Sequence, residues 1–215
     1  MTDTAGTSPR ERYRAQVRSE IKQHAWGQLA TTGVAALSLN AIAKQLGMSG
    51  PALYRYYASR DDLLTELIRE AYRSLADSIK AAAAAGADLA GLAHAFRDWA
   101  LADPQRYFLI YGTPVPGYEA PRDTAEISTE IMAVLIGASA ALPADGPATP
   151  LDAEIEKHRD WAGEHPAPAA VLGRALSFWT RIHGVLSLEL AGHFAGMGFD
   201  PALLFADEVE RLLVR

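Results

Sequence analysis

Apolar residues recur every three to four positions along most of this 215-residue chain. That is the period of helices with one buried face, and no stretch alternates with the period of two that a half-buried strand needs. Glycine and proline fall between the periodic stretches, where helices break. The expected fold class is therefore all-α. Ser8-Pro9-Arg10-Glu11 is an S-x-x-E capping box with proline in the first turn, so a helix is predicted to start there and run through Ile21, Trp26 and Leu29 to Gly33. Ser38 predicts a short second helix, "LNAIAKQL", closed by Gly47, and Ser49 a third, "GPALYRYYA". Ser59, followed by Arg60, Asp61 and Asp62, opens a fourth that continues to Gly86, about 40 Å of helix. Further helices are expected at roughly 87–102, 104–112, 121–142, 151–162, 167–195 and 201–214. The stretch "LPADGPATP" (142–150) reads as a linker. There is no internal repeat.

Helices two and three have the pattern of a helix-turn-helix. Ile42 and Leu46 lie four apart on one, Leu53 and Tyr57 four apart on the next, and Gly47 falls in the turn. At about 100° per residue, a helix that buries Leu53 and Tyr57 turns Pro51, Ala52 and Arg55 to the opposite side and carries Tyr54 and Tyr56 on its flanks. A helix in a DNA major groove uses its outer face for base edges and its flanks for the phosphate walls. Arg55 is thus placed to pair with guanine O6 and N7, and Pro51 and Ala52 to touch thymine methyls. Tyr54 and Tyr56 are placed to donate to phosphates. Ser38 at a helix start can add a phosphate contact through its hydroxyl and backbone N–H. Lys44 and Arg60 supply charge at the edges, and Ser49 and Gly50 open the reading helix. The alternative is a three-helix core whose tyrosines merely shield its surface.

Composition supports the first of these. The net charge is −6, yet residues 1–60 hold eight Arg and Lys against Asp3, Glu11 and Glu20. A basic N-terminal quarter on an acidic body suggests a polyanion partner for that quarter alone. The absence of cysteine rules out disulfides, thiolate metal sites and cysteine nucleophiles. No apolar run approaches the roughly 18 residues of a membrane span, and "MTDTAGTSPRERYR" lacks the apolar centre of a secretory signal. A cytoplasmic protein without membrane attachment is expected. The six histidines show no H-E-x-x-H or other ligand spacing, and no G-x-S-x-G, P-loop or dinucleotide fingerprint occurs. Neither catalysis, nor a metal, nor a cofactor is expected.

The segment "LSLNAIAKQLGMSGPALYRYYASRDDLL" resembles the helix-turn-helix signature of the TetR family of bacterial transcriptional regulators. Its "LYRYY" looks like the family's leucine–tyrosine–x–histidine–phenylalanine run, with Tyr56 at the usual histidine and Arg60 at the usual lysine; both keep a donor. The C-terminal "FWTRIHGVLSLELAGHFAGMG" is similar to the tryptophan–histidine–glycine type of TetR C-terminal domain. The resemblance implies two parts: a DNA-binding domain at 8–58 and an all-helical ligand-binding and dimerisation domain at 59–215.

The residues of that larger part agree with the implication in part. The helix predicted at 167–195 carries Val171, Leu172, Ala175, Leu176, Trp179, Ile182, Leu186 and Leu190 as a broad apolar stripe, with Gly184 and Gly192 suggesting close approach of another helix. The last helix, with Leu203, Leu204, Phe205, Val209, Leu212 and Leu213, can pair with it. Two such helices from each subunit would form a homodimer, and packing within one chain is the alternative. Candidate ligand contacts are Trp99, Tyr107, Phe108, Tyr111, Met132, Ile136, Trp179 and His183, aromatic or apolar residues with a few polar tips. The expectation is a repressor released from a palindromic operator by a small apolar effector. A constitutive DNA-binding dimer with no effector is the other reading.

Overall fold

A computed structural model describes residues 8–115, 117–119, 121–143, 147–163 and 165–213. The described residues form ten α-helices and no strand: α1 (Pro9–Thr32), α2 (Leu39–Gln45), α3 (Gly50–Leu53), α4 (Arg60–Ala84), α5 (Leu89–Ala102), α6 (Pro104–Tyr111), α7 (Arg122–Ala140), α8 (Pro150–Lys157), α9 (Ala169–Leu190) and α10 (Pro201–Leu213). The chain divides into two compact units. One holds Met1–Ala71 with Gln105–Ala120, the other Tyr72–Pro104 with Pro121–Arg215. Helix α4 runs through the boundary.

In the first unit α1 begins as its capping box dictates. Ser8 Oγ accepts from the Glu11 amide and the Glu11 carboxylate accepts from the Ser8 amide. Val17, Ile21, Ala25 and Leu29, each four residues after the last, form its buried face. Leu37, Leu39, Ile42, Leu53, Tyr57, Leu63, Leu64 and Leu67 of the same unit are buried too. A 3-10 turn at Val34–Ala36, which the periodicity does not reveal, follows Gly33 at φ 76°. Ser38 caps α2 as expected, its Oγ accepting from the Ala41 amide.

The third helix is shorter than its pattern suggests. Its α-helical part stops at Leu53, and Tyr54, Arg55 and Tyr56 continue as a turn. The hydrogen bonds show why: the Leu53 and Tyr54 amides reach four residues back, but the Arg55 and Tyr56 amides reach only three. That tightening is the usual way a helix ends, and the start of α4 at Arg60 leaves no room for another turn. Ser49 occupies the N-cap position without a side-chain cap bond, whereas the Ser59 Oγ does accept from the Asp62 amide.

In the second unit α9 is the central element, packed by α7, α8 and α10, with α5 against α10. Phe178, Ile182 and Leu186 of α9 are buried, as are Phe96 of α5 and Phe205 and Val209 of α10. A second cluster joins Ile136 of α7, Ile155 of α8, and Val171, Leu172 and Ala175 of α9, with Met132, Trp161 and Leu176 packed on it. Half-buried Glu189 of α9 takes both nitrogens of a fork from Arg97 of α5, with Nε at 3.0 Å, and the same guanidinium lies 5.6 Å over the Phe205 ring. Three planar contacts tie α5, α9 and α10 through one side chain.

Several expected boundaries move. Helix α4 stops at Ala84, α7 at Ala140 and α9 at Leu190, so Gly192, at φ 78°, lies in the turns that follow α9. The helix expected at 151–162 splits into α8, opened by a Thr149–Asp152 capping box, and a 3-10 turn at Arg159–Ala162. Glycine also acts elsewhere than expected. A Cβ on Gly184 would meet nothing within 4 Å, while on Gly173 it would stand 3.2 Å from Asp152 Oδ1 and 3.3 Å from Ile155 Cδ1. Within this chain the close helix approach is that of α8 at Gly173. Residues 144–146 of the expected linker lie outside the described residues.

Candidate nucleic-acid interface

The segment Ser49–Tyr57 keeps the inward pair that its sequence predicts, although Ala52, expected on the outer face, is half-buried. Leu53 and Tyr57 are buried, Pro51, Tyr54 and Arg55 are exposed, and Ala52 and Tyr56 are half-buried. Tyr54 keeps 46% of its surface open. Gly50 lies where a Cβ would touch only Asn40 Oδ1, at 3.5 Å. Lys44, in the last turn of α2, is exposed. Helix α2 packs on α3 and on α1.

Two of the sequence candidates have donors already engaged. The Ser38 backbone N–H donates to Gln28 Oε1 at 2.9 Å, leaving the hydroxyl proton as its available donor. Arg60 donates from Nε to the Leu37 carbonyl at 3.2 Å and from Nη2 to the Val34 carbonyl at 2.7 Å, and pairs with Asp61 at 3.2 Å. Its fork closes the chain around the 3-10 turn.

Five residues outside the motif complete the architecture. Arg14 of α1 donates to the Arg55 carbonyl at 3.4 Å and lies 5.8 Å over the Tyr56 ring. Arg18 donates to the Tyr56 carbonyl at 3.3 Å, lies 4.6 Å over the Tyr57 ring, and is ion-paired with Glu66 of α4. Lys22 reaches Glu66 at 3.2 Å and also pairs with Glu70. Burial alone would lower the Lys22 pKa and raise that of Glu66. The mutual ion pairs, with Glu70 on one side and Arg18 on the other, outweigh it and shift both the other way, so each stays charged. The signal was present in the sequence as two stripes at helical spacing: Arg14, Arg18 and Lys22 on α1, Glu66 and Glu70 on α4. That the stripes face each other is a long-range fact that spacing does not reveal.

The candidate effector residues divide among three settings. Trp99, Trp179 and His183 gather around Phe96: Trp179 lies 4.1 Å and Phe96 4.9 Å from the His183 ring, and Trp99 is stacked 6.1 Å from Phe96. The indole N–H of Trp99 donates to Ser74 Oγ at 2.9 Å. Burial pushes the His183 pKa down to about 4, so its imidazole is neutral at pH 7. Met132 and Ile136 belong instead to the α7–α8–α9 cluster. Tyr107, Phe108 and Tyr111 stand on α6 in the first unit, Tyr107 5.6 Å from Phe108 and 5.4 Å from Tyr111. Phe108 also lines a groove of about 120 Å³ with Leu29, Val34, Gln105 and Leu109.

A helix-turn-helix joined to a second all-helical unit, with exposed tyrosine and arginine on its outer face, defines a class of DNA-binding regulators. The profile described as "Bacterial regulatory proteins, tetR family" matches residues 22–67, and that described as "Tetracyclin repressor-like, C-terminal domain" matches residues 89–212. The chain is 37% identical to HTH-type transcriptional regulator Rv1816 of Mycobacterium tuberculosis, over all of this chain and 97% of that protein. It is 28% identical to an uncharacterised HTH-type regulator of the same organism, Rv0681, over 91% and 79% of the two chains. Among solved structures, SCO4313, described as a candidate regulatory protein, superposes with a TM-score of 0.90 at 67% identity, covering 97% of this chain and all of that one. A TetR-family protein from Rhodococcus RHA1 shares the fold at a TM-score of 0.60 and 19% identity, covering 93% and 96%. The chain belongs to the TetR family: it is a transcriptional regulator with a DNA-binding helix-turn-helix, not an enzyme. No helix of the described residues is long and apolar enough to cross a membrane.

Proposed function

We propose that the protein is a cytoplasmic repressor that binds a palindromic operator as a homodimer and leaves it when a small apolar effector binds. Residues 8–58 would form the DNA-binding domain and residues 59–215 the ligand-binding and dimerisation domain. The observation that carries the DNA reading is the exposure of Tyr54 and Arg55 beside buried Leu53 and Tyr57. In this reading Arg55 meets a base edge, and Tyr54, Tyr56, Ser49, Ser38, Lys44 and Arg60 serve the phosphate walls. Pro51, Ala52 and Gly50 let the segment approach the groove closely.

One such segment reads too few base pairs for useful specificity. Two related by a two-fold axis double the contacts and require half-sites about 34 Å apart or a multiple of the helical repeat. Leu188 of α9 and Leu203 of α10 support a dimer face there, since they are 45% and 69% exposed on helices that pack together. For the effector, the supporting feature is the aromatic setting of neutral His183, with Phe96, Trp99 and Trp179 around it. A near-complete switch needs an effector that favours the released state by about 5.5 kcal/mol.

The test is selection of random duplex DNA on the full-length protein at fixed salt, because affinity depends strongly on salt. A recovered palindrome with both half-sites on one face of the DNA supports the operator reading, and recovery of no motif overturns it. Thermal-shift screening of apolar compounds, followed by release from the recovered operator, then separates a sensor from a constitutive dimer.

A further inference from the structure

The recognition segment is an unlikely structure to stand unaided. Its α-helical part has four residues, and so short a helix has no intrinsic stability in water. The side chains proposed to meet DNA, Tyr54 and Arg55, lie beyond it in the turn. The carbonyls at the end of a helix have no intrahelical donors. Here the Arg55 and Tyr56 carbonyls accept from Arg14 and Arg18 of α1.

Of the two arginines, Arg18 is the better anchored. Arg14 is exposed and its bond is long, at 3.4 Å. Arg18 lies 4.6 Å over the ring of buried Tyr57, donates to the Tyr56 carbonyl at 3.3 Å, and is held by Glu66 of α4. One planar guanidinium therefore bridges three partners, a geometry that a lysine ammonium does not reproduce. Glu66 is fixed in turn by Lys22, which pairs with Glu70. With 34% of the Arg18 side chain and 23% of the Glu66 side chain still exposed, the pair is too wet to add much to global stability. Its effect falls on the orientation of the turn that it grips.

We propose that Arg18 and Glu66 are positioning residues for DNA recognition: Glu66 aims the Arg18 fork, and the fork sets the carbonyl and ring of Tyr56 and Tyr57 so that Tyr54 and Arg55 face the groove. This rests on the reading of Tyr54 and Arg55 as DNA contacts. Neither positioning residue touches DNA itself.

The test compares full-length wild-type protein with Arg18→Lys, Arg18→Gln and Glu66→Gln. Hydrogen exchange of a peptide spanning residues 50–58 is measured without DNA, and binding to the selected operator and to a scrambled duplex is measured over a range of salt. All three variants are expected to exchange this segment about tenfold faster, while α9 keeps its protection. The ratio of operator to scrambled affinity is expected to fall about tenfold, with the salt slope unchanged. Unchanged exchange overturns the clamp. Faster exchange with an unchanged affinity ratio makes the contact structural only, and overturns the positioning role. A salt slope reduced by about one per protomer would mean that Arg18 touches phosphate directly, which also overturns it. If wild type recovers no operator, the DNA reading fails, and the exchange arm still decides whether Arg18 and Glu66 order the turn.

Discussion

Arg55 and Tyr54 are neighbours in the same turn, yet the chemistry of their tips suits them to different work in the proposed DNA contact. A guanidinium pairs with a guanine edge in two places at once, and each such pair discriminates by roughly 1–3 kcal/mol. Arg55→Ala is expected to relax preference at one base pair per half-site in a repeated selection; an unchanged logo would refute the assignment. A tyrosine hydroxyl on phosphate reads no base, so Tyr54→Phe is expected to weaken operator and scrambled duplexes alike. His183 offers a test independent of DNA. Its folded pKa, about 4, lies below the ordinary value of 6.5, because burial among Phe96 and Trp179 disfavours the imidazolium. The unfolded chain therefore binds more protons between those values. The contribution is fully present above pH 6.5 and is lost as pH falls towards 4, by about 3 kcal/mol in all. Urea titrations from pH 7 to 4 should show a shallower loss for His183→Gln than for wild type, and equal slopes would mean that another group takes up the proton.

At the level of helices, α8 and α9 meet where α9 has no side chain. Gly173 is buried, and the Asp152 carboxylate and the Ile155 methyl occupy the space that a Cβ would claim. Gly173→Leu is expected to force α8 away from α9 and lower stability by about 1–3 kcal/mol, as overpacked cores do. Gly137, exposed on α7, has nothing within 4 Å of its would-be Cβ, so Gly137→Ala should stabilise by about 1 kcal/mol through helix propensity alone. Thermal denaturation of the two variants checks both signs; a Gly173→Leu protein as stable as wild type would mean that α8 yields freely. The capping box at Ser8 could be read from the chain, since a cap is local in sequence, whereas the Thr149 box falls in a stretch that reads as a linker. The early end of α3 could not be read either. Its apolar pattern continues to Tyr57, and the competing start of α4 decides where the hydrogen bonds tighten.

For the whole molecule, the proposed homodimer needs a surface that meets a second copy. Leu188 and Leu203 leave apolar area in water on paired helices, and Gly184 is exposed on α9. If this face forms the dimer, Leu203→Glu together with Gly184→Leu should yield monomers in sedimentation equilibrium and weaken operator binding, because each protomer then holds only one half-site. A dimer that persists would place the interface elsewhere. The helical class, the helix-turn-helix and the outward Tyr54 and Arg55 were legible in the residues, because hydrophobic period, caps and wheel positions act within a few turns of chain; the regulator family was legible only through the resemblance of residues 37–64 to the TetR signature. The clamp of Arg18 on the Tyr56 carbonyl, the engagement of Arg60 with the Leu37 and Val34 carbonyls, and the exposure of Leu203 were not. A charge or a leucine on a helix states only which face it occupies. What that face meets depends on segments tens of residues away, and only their packing assigns it a partner.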